Sequence, residues 1–267
     1  MRSSFFATIL LAASQAAALV RSPKPTQTTG GWSVGGYTYA RRSIFNFATG
    51  TALPEGLYRS TWPIDDTHIY QAENAVVSGG YLNLKVPGGQ TAKPYKCGEV
   101  STTFSNIKYA SVRTVAIFSN PTGVCNDLVW YTTADTSPGI FFYWNGTQEI
   151  DIEWLSDPAS LSNQGTRWLW LTNQDADLNG QKTINNILPP SNPTVEEHEY
   201  RIDWTPGLVK WFVDGTQVWQ TTSDVPTVPG SWIFNNWANG DIGWSAGPPT
   251  QEANFKIKDV EMYYNTA

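Results

Sequence analysis

One short stretch concentrates side chains capable of chemistry: Gln148-Glu149-Ile150-Asp151-Ile152-Glu153-Trp154. Three acids alternate with apolar residues. In an extended segment alternate side chains share a face, so Glu149, Asp151 and Glu153 project to one side while Ile150, Ile152 and Trp154 enter a core. Like charges set side by side weaken a strand, and a purely structural role gains little from them. Catalysis can use the crowding, because it raises some carboxyl pKa values and keeps an acid protonated near neutrality. Positions four apart in a strand lie ~13 Å apart along the backbone. Two Glu side chains leaning inward would leave ~5 Å between carboxyls, near the ~5–5.5 Å of retaining glycosidases rather than the ~6.5–9.5 Å of inverting ones. From the residues alone, a solvated acidic face and a calcium-binding strand are the alternatives.

The elements that must position these acids read as strands. Tyr81-Leu82-Asn83-Leu84-Lys85-Val86, Ser111 to Ile117, Arg167 to Thr172 and Glu199 to Trp204 are rich in β-branched and aromatic residues, with turn residues between them. Leu208 to Val213, then Asp214-Gly215, then Thr216 to Trp219 is a hairpin pattern, because Asp-Gly favours the turn with positive φ at both central positions. No long stretch carries a capped helical period, and no internal repeat is present. Many strands joined by polar turns imply an antiparallel sandwich.

The 267 residues carry 17 Lys and Arg against 23 Asp and Glu, a formal charge of −6, with 13 Trp, 12 Tyr and 11 Phe. So much aromatic matter argues against disorder. The acidic balance, without a basic stripe, argues against nucleic-acid binding. Met1-Arg2-Ser3-Ser4, the apolar run Phe5 to Leu11 and Ala16-Ala17-Ala18 have the form of a secretory signal cut after Ala18. The run is shorter than the ~20 apolar residues of a spanning helix. A secreted, extracellular protein without a membrane anchor is therefore expected. The expected organisation is a signal peptide over 1–18, a loose Ser/Thr/Pro/Gly-rich arm over 19–43 and a single domain over 44–267. In an oxidising compartment Cys97 and Cys125, the two cysteines of the chain, are expected to form one disulfide. Asn145-Gly146-Thr147 is a candidate N-glycosylation signal.

The acid motif Glu149-Ile150-Asp151-Ile152-Glu153 resembles the Glu-x-Asp-x-Glu signature of glycoside hydrolase family 16. That family includes lichenases, xyloglucan endotransglucosylases and fungal cell-wall transglycosylases, and its secreted fungal branch is the placing expected here. Cys97-Gly98-Glu99-Val100-Ser101-Thr102, the block from His198 to Gly215 and Asn235-Asn236-Trp237-Ala238-Asn239-Gly240 are similar to further blocks of the family. The resemblance implies a jelly-roll sandwich of two curved antiparallel sheets, with a glycan cleft on the concave face. It implies Glu149 as nucleophile, Glu153 as general acid and base, and Asp151 as the group that tunes them. Substrate contacts are expected from Glu99, Asn235 and Trp237, and from Trp130, Trp168 and Trp170 on their strand faces. Trp154 is read as core, and Trp204, Trp211 and Trp219 as packing on the opposite sheet.

Two departures stand out: Gln148 where many relatives carry an acid, and Ser101 where lichenases often carry an Arg. No cofactor is expected. Some relatives bind a structural calcium, but the chain offers no defined ligand set. The expected activity is retaining, endo-acting hydrolysis of a cell-wall β-glucan with β-1,3 or mixed β-1,3/1,4 linkages. A transglycosylase with the same glycosyl-enzyme and a non-catalytic lectin are the alternatives. The expected partner is a polysaccharide, met by a monomer.

Overall fold

The computed structural model describes residues 19–133, 147–174 and 182–267. The N-terminal strands are β1 (Thr26–Thr28), β2 (Gly31–Val34), β3 (Tyr37–Tyr39) and β4 (Arg41–Asn46). Next come β5 (Leu57–Arg59), β6 (Pro63–Ile64), β7 (His68–Tyr70), β8 (Ala75–Ser78), β9 (Tyr81–Val86) and β10 (Tyr95–Thr102). The middle of the chain forms β11 (Ile107–Ile117), β12 (Cys125–Thr133), β13 (Thr147–Leu155), β14 (Leu169–Gln174) and β15 (Lys182–Ile187). The last strands are β16 (His198–Thr205), β17 (Leu208–Val213), β18 (Thr216–Thr221), β19 (Ser231–Trp237) and β20 (Ala253–Thr266).

Two large sheets pack face to face, as the strand pattern predicts. One runs β15-β14-β13-β12-β19-β10-β7-β6, with β5 also on β10. The other runs β18-β17-β16-β11-β20-β9-β8, with β4 also on β20. Pairing is antiparallel except between β7 and β10. The core fills from alternate residues of both sheets. Ile150, Ile152 and Trp154 of β13 lie inward with Leu128, Leu171, Trp204 and Trp211. Trp154 stacks on Phe118 at 5.5 Å and donates its indole N–H to Ser119 O at 3.0 Å. Trp211 reaches across the sandwich from β17 and donates to the backbone carbonyl of Asp151 at 2.9 Å, so the second sheet pins the acid strand. Trp211 also stacks on Trp219 at 4.6 Å. These four Trp residues pack as expected. The Asp214-Gly215 turn has φ of 49° and 77°, the conformation that joins β17 to β18.

Two expectations are corrected. The segment read as a loose arm is instead a folded strap, in which β1, β2 and β3 form a small sheet of their own. Tyr39 is fully buried and Ser22 donates its backbone N–H to Glu199 Oε1 at 2.8 Å. Arg21 makes a paired contact with Asp259, at 3.0 and 2.7 Å. The glycines that suggest a tether turn the chain between these strands or, at Gly31, open β2. Gly31, at φ +132°, lets Tyr39 O come within 2.0 Å of where a Cβ would stand.

The expected disulfide is absent, and both cysteines are buried free thiols. Strand register explains why. Cys125 pairs with Trp237 on β19, and β10 brings Cys97 to the other side of that strand, since Gly98 pairs with Asn236. Two strand spacings amount to ~9.6 Å, beyond the ~7 Å that a disulfide spans between Cα atoms.

Candidate active site

The acid strand presents its carboxyls as the period-two pattern requires. β13 lies between β12 and β14, and its register carries the acid face sideways across the sheet. One row runs Glu99–Asn235–Asp127–Glu153–Trp170 through five strands. The next runs Ser101–Ile233–Val129–Asp151–Thr172, and the third sets Glu149 opposite Gln174. The acids of β13 are thus joined at right angles by Asp127 and Glu99 from other strands. Exposure separates them: Glu149 and Glu153 each keep 8%, while Asp151 between them keeps 1%. All three are buried, the outer two slightly less than the central one.

Each carboxyl has its own surroundings. Gln174 Nε2 donates to Glu149 Oε2. Glu153 Oε1 accepts the indole N–H of Trp244 at 2.9 Å and the thiol of Cys125 at 3.3 Å. Burial raises the Glu153 pKa, against the lowering effect of those two donors and of Lys182. Burial pushes Asp151 well above the usual carboxylate range, and Glu153, Glu149 and Asp127 push in the same direction. Asp127 is raised for the same reasons, burial first and then Glu153. Burial takes Glu99 up to about 7, although Ser60 Oγ and Asn235 Nδ2 donate to it at 2.5 and 3.4 Å. Such a face shifts several carboxyls toward their neutral form, the form a general acid needs.

The other expected residues divide. Glu99 and Asn235 join the acid row but are almost wholly buried, so they shape its floor rather than offer open sugar contacts. Trp170 is half-buried and packs against Trp244 with ring centroids 5.2 Å apart. Trp237 is half-buried and stacks on His68 at 5.4 Å, one register step beyond Asp127. Trp168 precedes β14, where its backbone N–H meets Asn163 Oδ1 at 3.4 Å. The backbone of Trp130 pairs with Ile150 and Trp232; its side chain lies outside what is described, as does Asn145. Gln148 turns its side chain away from the acids and accepts backbone N–H groups of Thr227 and Val228 at 2.8 and 3.2 Å. There it secures the loop before β19.

Sequence reasoning missed Asp127, gave Cys125 to a disulfide instead, and missed Gln174 and Trp244. The first two had a usable signal, since Cys125 and Asp127 alternate on β12 as the acids do on β13. Trp244 had none, because it arrives from a loop 91 residues away from Glu153. Among the described residues, no group of three or more His, Cys, Asp or Glu is arranged to hold a metal ion.

The family profile "Glycosyl hydrolases family 16" matches residues 64–258. A beta-glucanase of Paenibacillus polymyxa is 25% identical over 181 residues, 68% of this chain and 66% of that protein. Crh-like protein 3 of Botryotinia fuckeliana is 26% identical over 139 residues, 45% of this chain and 29% of that protein. The chain therefore spans less than two thirds of the length of either relative. Bacterial and fungal proteins both match, which supports the family and not one branch of it. The same fold occurs in a prokaryotic beta-1,3-1,4-glucanase (lichenase) from a mouse hindgut metagenome, at a TM-score of 0.65 and 19% identity, covering 85% of this chain and 99% of that one.

Proposed function

This chain belongs to glycosyl hydrolase family 16, and from that premise we propose that it is a secreted, retaining endo-β-glucanase acting on β-1,3 or mixed β-1,3/1,4 glucan. The observation that carries the reading is the acid strand, with Glu149 and Glu153 each 8% exposed on one face and Asp151, at 1%, between them. Glu149 attacks the anomeric carbon. As that bond forms, the bond to the leaving sugar breaks and Glu153 gives its proton to the departing oxygen. Water then attacks the same carbon, loses its proton to Glu153 and releases Glu149. Asp151, neutral in its buried position, keeps a second negative charge from forming between them. The β-glucanase relative and the lichenase fold support the substrate class. Secretion is supported by the signal-like first 18 residues, whose removal leaves the Arg21 and Ser22 anchors in place.

The test is turnover of lichenan and laminarin by the purified chain and by Glu149→Gln and Glu153→Gln. Glu153→Gln is expected to lose roughly 10²–10⁴-fold in kcat/KM, and Glu149→Gln at least as much. Proton NMR should show the β-anomer as the first product. Full turnover by Glu149→Gln, or an α-anomer first, would overturn the reading. Product masses above that of the donor would replace hydrolysis by transfer.

A further inference from the structure

The two donors on Glu153 meet the same oxygen. Trp244 Nε1 lies 2.9 Å and Cys125 Sγ 3.3 Å from Oε1. An indole N–H can only donate. The Cys125 thiol is fully buried, and its other acceptor, Asn126 O, is farther away at 3.9 Å. Burial and the neighbouring Glu153 and Asp127 hold that thiol well above its ordinary range, so it stays S–H. An oxygen that already accepts two hydrogens has no room for a third. We infer that Cys125 and Trp244 are positioning residues that keep Glu153 Oε1 as an acceptor throughout the reaction, so that the transferred proton leaves from and returns to Oε2.

The inference rests on Glu153 being the acid and base. In the first step the Oε2 proton passes to the glycosidic oxygen as the bond to the anomeric carbon breaks and the Glu149 bond forms. In the second step a water proton returns to Oε2 as the water oxygen displaces Glu149. The groups facing Glu153 are Cys125 and Asp127 from β12, Asp151 and Glu149 along β13, Trp170 from β14, Lys182 from β15 and Trp244 from its loop. Asp127 is the residue directly opposite Glu153, yet the thiol two residues along β12 makes the contact with Oε1.

The experiment compares Cys125→Ala, Cys125→Ser and Trp244→Phe with wild type on lichenan and on an aryl β-glucoside oligomer with a dinitrophenolate leaving group. That leaving group departs without a proton, so formation of the glycosyl-enzyme from it does not need the acid. Cys125→Ala and Trp244→Phe should lower single-turnover rates on lichenan by roughly fivefold or more. Both remove donors to the anionic acid, so the basic limb of the pH profile should move up by about 0.5 pH unit. Single-turnover rates on the dinitrophenyl substrate should stay near wild type, and Cys125→Ser, which keeps a donor, should restore most of the lichenan rate. Equal losses on both substrates, or unchanged lichenan rates and limbs, would overturn the clamp. Should Cys125→Ala fail to fold, Trp244→Phe carries the test, because its ring comes from a partly exposed loop. Loss of lichenan turnover by Glu153→Gln with wild-type behaviour of the clamp variants sinks only this inference; full turnover by Glu153→Gln sinks the acid assignment as well.

Discussion

On the face of β16 turned away from the core, Asp203 accepts a hydrogen bond from Ser111 at 2.6 Å and lies 3.1 Å from Arg201 Nε. That last contact is close enough for an ion pair, though not aligned as a hydrogen bond. Arg201 also covers the Phe212 ring at 3.5 Å, and Asp259 nearby is bound by Arg21. On the acid-bearing face of the other sheet, by contrast, no ion pair joins Glu99, Asp127, Asp151 or Glu153 to a described Lys or Arg. One sandwich thus buries carboxyls in two ways. With a guanidinium beside it, a buried acid has the effect of burial opposed: burial raises Asp203, while Arg201, Ser111 and Arg113 draw it back down. Without one, it is driven toward its neutral form, which costs stability at high pH and supplies proton chemistry. Thr172 on Asp151 and the Leu128 backbone on Asp127 pull the other way, yet burial and the neighbouring acids outweigh them.

The comparison breaks most visibly if the paired face is not the stabilising one. Asp203→Ala leaves Arg201 buried without its partner and should cost about 3–5 kcal/mol in chemical denaturation. Turnover per folded molecule should change less than twofold, because Asp203 lies on the sheet opposite the acids. A large loss of turnover with little loss of stability would reverse the roles assigned to the two faces. A smaller effect comes from the unpaired face. Glu99 is raised from 4.5 to about 7 in the folded protein. The folded state therefore holds a proton that the unfolded chain has lost between those values, and stability falls as pH rises through that window. The difference amounts to roughly 3 kcal/mol at most. Glu99→Gln should flatten the decline in stability measured between pH 4.5 and 7. An unchanged slope would mean that Glu99 is not the group titrating.

What could be read from the residues follows from range. The alternation of Glu149, Asp151 and Glu153 with Ile150, Ile152 and Trp154 is local, and it placed both the acid face and the core. The Asp214-Gly215 turn is likewise written in two adjacent residues. The lateral rows are not local. Alternation puts Asp127 on one face with Cys125, but it does not say that register sets Asp127 or Glu99 in the row of Glu153, because pairing joins segments tens of residues apart. The cysteines failed for the same reason: spacing along the chain says nothing of the strand, β19, that lies between them. The strap failed through composition, since glycines that permit tight strand turns look the same as glycines that permit flexibility.

The smallest expected effect tests where the strap belongs in this comparison. Its Arg21 anchor has both hydrogen bonds to Asp259, but the guanidinium is 39% exposed, so water and salt screen the pair. Arg21→Ala should cost only about 0.5–1 kcal/mol, and less at high ionic strength. The Ser22 backbone bond to Glu199 and the buried Tyr39 ring remain to hold the segment. Hydrogen exchange should therefore quicken at the residues beside Arg21 and leave β2 and β3 protected. Lichenan turnover should not change, since the strap covers the sheet that carries no catalytic acid. A fall in turnover with unchanged stability would mean that the strap communicates with the acid face through the sandwich, and the Trp211 indole on the Asp151 carbonyl would then be the contact to interrupt.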